Sequence, residues 1–393
     1  MNIILFDGAE HQSLLPFTYT RPIADIRIGI LTIREKWEKL LQTKTSTLTK
    51  SYLAEKYPLI KKEIQIYING SFLPTHELVN QVKTLSEKEV ILYNDSIVAY
   101  KSKTALQKDA LTGFKTIHHK ESELLQIRYP WDIFALNDKS IRFDYELITK
   151  GRKSAPIPKT VNCLNPENVF LEEGVDISFA ILNAKEGPIY IGKNAVIMEG
   201  SMLRGPLAIC NSVLVKMGAK IYEATTAGPF SKICGEVNNT VIFGYSGKVH
   251  EGYLGNAVLG EWCNIGADTN NSNLKNNYAE VKVWDYSTDR FVKTGHQFCG
   301  MFMGDHSKCG INTMFNTGTT IGVCANIYGS NFPRNFIPSF SWGGAAGFTT
   351  YQLNKVDETI KLVMQRKHKE YNAIEQRIIH HVFKISKKYR NFK

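Results

Sequence analysis

The seven cysteines (163, 210, 234, 263, 299, 309 and 324) form no CxxC pair and show no spacing typical of metal ligands. A zinc-finger or disulfide-dense scaffold is thereby excluded, and the thiols read as small buried residues of a protein in a reducing cytosol. No run of about 18 apolar residues occurs, so no membrane span is expected. The opening MNIILFDGAEHQ lacks a basic region ahead of a long apolar one, so no signal peptide is expected and the location is read as cytoplasmic. Dense positive clusters are missing from the body of the chain. The densest run, Lys384 to Lys393, reads as a solvated end, so no nucleic-acid partner is expected. The net charge of +11 and pI near 9.1 suit small anions instead: phosphorylated sugars, nucleotides or coenzyme A.

What is present suffices for two domains. The 393 residues, 43% apolar and 22% charged, have the composition of an ordinary globular protein. NIILF (2–6) and IQIYI (64–68) read as strands, and 24–42 carries helical spacing through Ile26, Ile30, Ile33 and Trp37. THELVNQVKTL reads as a helix with Thr75 as N-cap, and EVILY and SIVAY read as strands. This alternation predicts an α/β domain with a mainly parallel sheet over 1–150. GRKSAPIPKT, rich in Gly, Pro and Lys, marks a linker over 151–165.

Beyond it the period changes. Ile191, Ile197, Leu203, Ile209, Val215, Ile221, Ala227 and Ile233 lie six apart, each followed four residues later by a small or branched residue, from Ala195 to Val237. The frame returns at Tyr253, Leu259 and Ile265, and again at Met303, Cys309, Phe315, Ile321 and Ile327. A helix repeats at about 3.6 and a half-buried strand at about 2. Sixes are the mark of a parallel β-helix whose triangular coils take three hexads each. This solenoid is expected over 166–335, followed by a loop and helix over 336–393, where Leu353, Val356, Ile360, Val363, Ile374, Ile378 and Ile385 form an apolar stripe.

Within the hexads, HEGYLGNAVLGEWCNIGADT followed by NSNLKNN, from His250 to Asn273, resembles a block of the hexapeptide-repeat acyltransferases. It is most similar to H-x-x-Y-L-G-D-A-x-I-G-x-x-x-N-I-G-A-G-T of the bifunctional N-acetylglucosamine-1-phosphate uridylyltransferase/glucosamine-1-phosphate acetyltransferases, the GlmU family. The resemblance implies a left-handed β-helix, a homotrimer with sites between prisms, and acetyl transfer from acetyl-CoA to an amino-sugar phosphate. By it His250 takes the place of the catalytic base, Tyr253, Asn264 and Asn273 fall on sugar-phosphate contacts, and Ala267 falls on the coenzyme wall. The family lysine preceding the histidine is replaced by Asn238-Asn239, and Lys248 or Lys232 is the candidate for its charge. The chemistry suits these residue types. An amine attacking a thioester must lose a proton, which a neutral imidazole accepts near physiological pH. Taken alone, His250 reads as a structural histidine at a coil corner; the block around it favours catalysis.

IILFDGAEHQSLLPFTYTRP resembles the entry of sugar-phosphate nucleotidyltransferases, in which a strand and tight turn cradle the nucleotide. That implies UTP as a substrate with Mg2+, giving UDP-N-acetylglucosamine for the cell envelope, with Asp7, Gly8 and Arg21 at the nucleotide. The family's G-x-G-T-R is absent, Phe17 stands for its lysine, and Asn69-Gly70-Ser71 stands where a metal-binding aspartate is usual. The identity of the metal ligands stays open. Three alternatives stand beside this reading. One is an acetyltransferase with a non-catalytic nucleotide-binding first domain. The second is a metal site of γ-carbonic-anhydrase type drawing on His250, His296 and His306. The third is a non-enzymatic scaffold.

Overall fold

The computed structural model describes residues 2–106, 111–119 and 123–392. Its first part is built on a six-stranded sheet: β1 (Ile3–Phe6), β2 (Thr45–Leu48), β3 (Gln65–Asn69), β4 (Glu89–Tyr93), β5 (Ser96–Ser102) and β6 (Lys115–His118), in the order β2-β1-β3-β5-β4-β6. The sheet is mixed, not mainly parallel. β1 pairs in parallel with β2 and β3, but β5 runs antiparallel to both β3 and β4. The reason is the tight Asn94-Asp95 turn, both residues at positive φ, which joins β4 to β5 as a hairpin with no crossover helix. The helix expected over 24–42 is confined to Ile33–Leu41, where Thr32 and Glu35 form a capping box. Thr75 caps His76–Thr84 by accepting a hydrogen bond from the Leu78 N–H.

The hexads do build a parallel β-helix. Three long sheets hold six, nine and ten strands, most only two or three residues long. Ile191 faces Ile209 one coil later, Ile197 faces Val215, and Leu203 faces Ile221. All six side chains are buried in the prism. Corners recur with the coil and need positive φ, supplied by Asn194 and Ser212 at one edge and by Gly200 and Gly218 at another. The repeat then slips. Ile221 faces Val237 and Ala227 faces Ile242, coils shorter than three hexads, so in the next coil Leu254 and not Tyr253 points inward. The first coil strand is Asn162–Leu164, inside the stretch read as linker. The last is Ser341–Gly344, extended by a hairpin partner, Gly347–Thr350.

One face of the prism belongs to the first part. Val241, Phe243, Val258 and Phe302, from that face, share a continuous core with Ile23, Trp37, Phe72 and Phe134. Hydrogen bonds seal the joint: Arg27 Nε donates to the Phe243 carbonyl at 3.1 Å, and Thr226 Oγ1 donates to the Gly29 carbonyl at 3.0 Å. At the neighbouring corner, Trp262, Val323, Cys324 and Phe340 are covered by two C-terminal helices, Leu353–Gln365 and Ala373–Ile385, where one was expected. Val356, Ile360 and Ile378 of the apolar stripe are buried there, while Ile385 is exposed. The other two faces keep exposed apolar side chains, among them Phe179, Ile181, Met202 and Ile311. No helix among the described residues is long and apolar enough to cross a membrane.

Candidate functional site

His250 sits at the corner joining the strand Gly247–Lys248 to the strand Tyr253–Gly255, at the edge between the two uncovered faces, and it is exposed. The corners of successive coils stack there. The Asp268 N–H donates to the Glu251 carbonyl at 3.0 Å, and the Asn312 N–H donates to the Ala267 carbonyl at 2.8 Å. His250, Ala267 and Ile311 therefore climb one edge in consecutive coils.

Lys248 corrects the sequence reading. Ile233 faces Lys248 and Lys248 faces Ile265, so the lysine occupies an inward position of the prism and is 1% exposed; it contacts no substrate groove. Its Nζ donates to the carbonyls of His250 and Glu251, the latter at 3.0 Å. Room for it comes from Gly235 at φ +76°, where a Cβ would lie 2.7 Å from Nζ and 2.8 Å from the His250 carbonyl. A buried ammonium thus fastens the corner that carries the histidine. Burial lowers its pKa to about 8, against the opposing influence of Cys234 and Glu251. Between about 8 and the unfolded value of 10.5 the unfolded chain binds more protons, so this group's penalty is relieved as pH rises. Relative to Lys248→Met, the native protein is expected to gain about 2 kcal/mol between pH 8 and pH 10 in urea unfolding. Parallel pH curves for the two proteins would refute the assignment.

The asparagines beside the corner replace strand pairing where the coil leaves the hexads. Asn270 Oδ1 accepts from the Tyr253 N–H at 2.7 Å, and Asn271 exchanges bonds of 2.8 and 2.9 Å with the Gly255 N–H and carbonyl. Asn273 Nδ2 donates to Tyr253 Oη at 2.8 Å and to Asn256 Oδ1 at 2.7 Å. Tyr253 and Asn273 are thus brought together, with His250 at one end of the Tyr253–Gly255 strand and Asn256 at the other. Asn264 is exposed on the adjacent face, in register with Gly247. Asn256 and Asn271 were not singled out from sequence; the signal was the cluster Asn270, Asn271 and Asn273, each with a side-chain amide able to imitate a strand partner.

The remaining histidines do not join His250. His306 lies at the corner under the C-terminal helices, stacked at 6.2 Å on Trp262, and burial holds its pKa well below the usual value. His296 packs beside Phe134. Among the described residues no group of three or more His, Cys, Asp or Glu is placed to hold a metal ion.

In the first part, Asp7 ends β1 with a buried side chain. Its Oδ1 accepts from the Ile23 N–H at 2.8 Å, its Oδ2 accepts from Thr49 Oγ1, and His11 Nε2 lies 3.7 Å away. Burial pushes the Asp7 carboxyl up to about 7 and the His11 imidazole down to about 3. Gly8 leaves space for Glu10, whose Oε2 would lie 2.3 Å from a Cβ there. Arg21 departs from expectation. Its guanidinium is buried in the joint with the β-helix, where Asp305 and, at 3.2 Å, Glu261 occupy it. Because the folded pKa of Asp7 lies above the unfolded 3.8, its stabilising effect is complete below 3.8 and lost as pH rises through about 7. Asp7→Asn is therefore expected to be more stable than the native protein at pH 8, by about 4 kcal/mol, with the gap closing by pH 4 in thermal melts.

Residues 3–153 match the family model described as "Sugar nucleotidyl transferase". A bifunctional sugar-1-phosphate nucleotidylyltransferase/acetyltransferase of Sulfurisphaera tokodaii is 37% identical over 93 residues, 24% of this chain and 23% of that protein. A bifunctional protein GlmU of Methanocaldococcus jannaschii is 32% identical over 118 residues, 30% of this chain and 26% of its own. The chain thus matches about a quarter of the length of these relatives. Among solved structures, a UDP-N-acetylglucosamine acyltransferase of Arabidopsis aligns with 60% of this chain and 94% of its own at 12% identity, with a TM-score of 0.22. Parts of the chain are thus similar to GlmU proteins, and its architecture is a region similar to sugar nucleotidyl transferases followed by a parallel β-helix.

Proposed function

We propose that the protein transfers acetyl from acetyl-CoA to the amine of an amino-sugar phosphate, glucosamine-1-phosphate above others. The observation that carries this is the corner itself: an exposed histidine, fixed by Lys248 through its own carbonyl and flanked by the Tyr253–Asn273–Asn256 amide cluster. In the reaction His250 takes a proton from the amine as nitrogen bonds to the thioester carbon, and as the carbon–sulfur bond breaks the imidazolium returns that proton to the leaving sulfur, releasing the thiol. Tyr253, Asn273 and Asn264 hold the sugar phosphate, and Ala267 lies along the coenzyme. The exposed apolar residues of the two open faces support a trimer of prisms with the sites between them.

The first part couples the product to UTP, giving UDP-N-acetylglucosamine and pyrophosphate. The triphosphate would bring Mg2+, which would neutralise its charge. Glu10, with Oε2 free of any hydrogen-bond partner, is the carboxylate beside Gly8 suited to meet it. A second reading, acetyl transfer alone, is favoured by one observation: Arg21 is consumed by Asp305 and Glu261. Incubation with acetyl-CoA and glucosamine-1-phosphate, followed for free thiol and then, after UTP and Mg2+, for pyrophosphate, tests both. Thiol without pyrophosphate selects the second reading. No thiol from any amino-sugar phosphate refutes the acyl transfer. A cytoplasmic location accords with these substrates.

A further inference from the structure

Beyond Asn273 the chain leaves the prism and forms a hairpin, Lys282–Asp285 against Arg290–Lys293. Trp284 of this hairpin stacks on Phe336 at 4.2 Å, and Phe291 meets Trp284 edge-on at 5.4 Å. These three rings, with Lys275, Lys282 and Arg334, line a cavity of about 750 Å3 whose walls contain no carboxylate. The volume is that of a small-molecule site. Its charge is built in at some cost. Lys282 stands directly opposite Lys293 in the hairpin, an unfavourable like-charge pair. Glu280 offsets Lys293 at 3.6 Å, which leaves Lys282 facing the cavity. The floor is tied to the candidate acyl-transfer cluster, since Asn335 Nδ2 donates to the Thr317 carbonyl at 2.8 Å and the Gly318 N–H donates to the Cys299 and Gly300 carbonyls. The Cys299 N–H in turn donates to the Asn273 carbonyl at 2.8 Å.

Lys275 Nζ donates to the Glu280 carbonyl at 2.8 Å and Arg334 lies 5.9 Å over the Phe348 ring, but neither they nor Lys282 meet a carboxylate among the described residues. Aromatic rings beside cations with no acid recognise a base together with its phosphates. We propose that this groove binds a nucleotide, its base against the rings and its phosphates on Lys275, Lys282 and Arg334. Two sources share that chemistry: the adenosine 3′,5′-bisphosphate end of coenzyme A, and uridine diphosphate. Only the link to coenzyme A rests on the acyl-transfer reading.

Calorimetric titration of the full chain with adenosine 3′,5′-bisphosphate, uridine diphosphate and inorganic phosphate tests it. One nucleotide is expected to bind, about tenfold or more weakly in Lys282→Gln/Arg334→Gln and several-fold more weakly in Phe291→Ala. Equal charge loss at exposed Lys159 and Lys193 should leave the affinity unchanged. Preference for the adenosine compound assigns the groove to the acyl donor, and preference for uridine diphosphate assigns it to a sugar nucleotide. Absence of binding by either, phosphate binding as tightly as the nucleotides, or an unaltered affinity in the double variant overturns the proposal. Nucleotide binding that persists where no amino-sugar phosphate releases thiol would sink the acyl-transfer reading alone. Thiol release with unchanged coenzyme affinity in the double variant would sink only the groove's link to coenzyme A.

Discussion

Replacing His250 by alanine is expected to lower the rate of thiol release from acetyl-CoA by about 100- to 10,000-fold, the usual worth of a positioned general base. On the proposed mechanism the imidazole acts only as the amine loses its proton, so kcat and kcat/KM should fall together while KM moves little. The histidine lies exposed at a coil corner and only its backbone carbonyl is used by the fold, through Lys248. Its side chain can therefore be removed with a change in stability of about 0.5 kcal/mol or less, and the melting curve should overlay that of the native protein. Tyr253→Phe is the informative companion. It removes the acceptor of the 2.8 Å bond from Asn273 without touching the corner, so it should raise KM for the sugar phosphate more than it lowers kcat. A His250→Ala protein that retains full thiol release would end the base assignment, whatever the other residues do.

Much of this site was legible because hexads are a backbone period. An apolar side chain every sixth residue has one outlet, the inside of a three-sided coil, and Ile191 through Ile233 obey it. The legibility failed where the coil length changed. The shortened coils between Ile221 and Val237 and between Ala227 and Ile242 shift the frame by an amount no counting of apolar residues reveals, because Thr240 and Ser246 fill buried positions there by hydrogen-bonding to backbone carbonyls. That shift carried Lys248 from an apparent surface site to the interior and turned Tyr253 outward. The first part was harder for a different reason. Its nucleotide-entry pattern names residue types, but the packing of the sheet against the β-helix is written in no local pattern. Phe17 meets Phe243 at 5.1 Å, and Phe134 stacks near Phe302 at 6.2 Å, contacts between residues far apart in the chain. Arg21 reads equally well as a phosphate ligand or as a structural cation. Only the carboxylates that meet it decide between the two.

Those carboxylates set the largest effect expected on stability. Asp305 is buried at a β-helix corner, where its Oδ1 accepts from the Glu261 N–H at 2.9 Å and its Oδ2 accepts from Thr20 Oγ1 at 2.7 Å and from the Arg21 guanidinium. Burial raises its pKa and the Arg21 charge opposes that rise. Arg21 also lies 5.1 Å over the Phe243 ring, so the pair is enclosed by the joint between the two parts of the molecule. Asp305→Ala leaves the buried guanidinium only the partly exposed Glu261, at 3.2 Å, in place of its buried partner and should cost about 3 kcal/mol in urea unfolding. The sign of the remedy distinguishes a pair from two independent residues. Arg21→Met with Asp305→Leu removes both charges and refills the space, and should recover most of the loss. The double-mutant cycle should then show a coupling of at least about 1.5 kcal/mol. Because the joint also shares one apolar core, the native protein is expected to unfold in a single transition followed by tryptophan fluorescence and by circular dichroism alike. In Asp305→Ala the two probes should separate, the first part losing its structure before the β-helix. Coincident transitions in that variant, or a loss below about 1 kcal/mol, would show that the apolar contacts hold the two parts together without the buried ion pair.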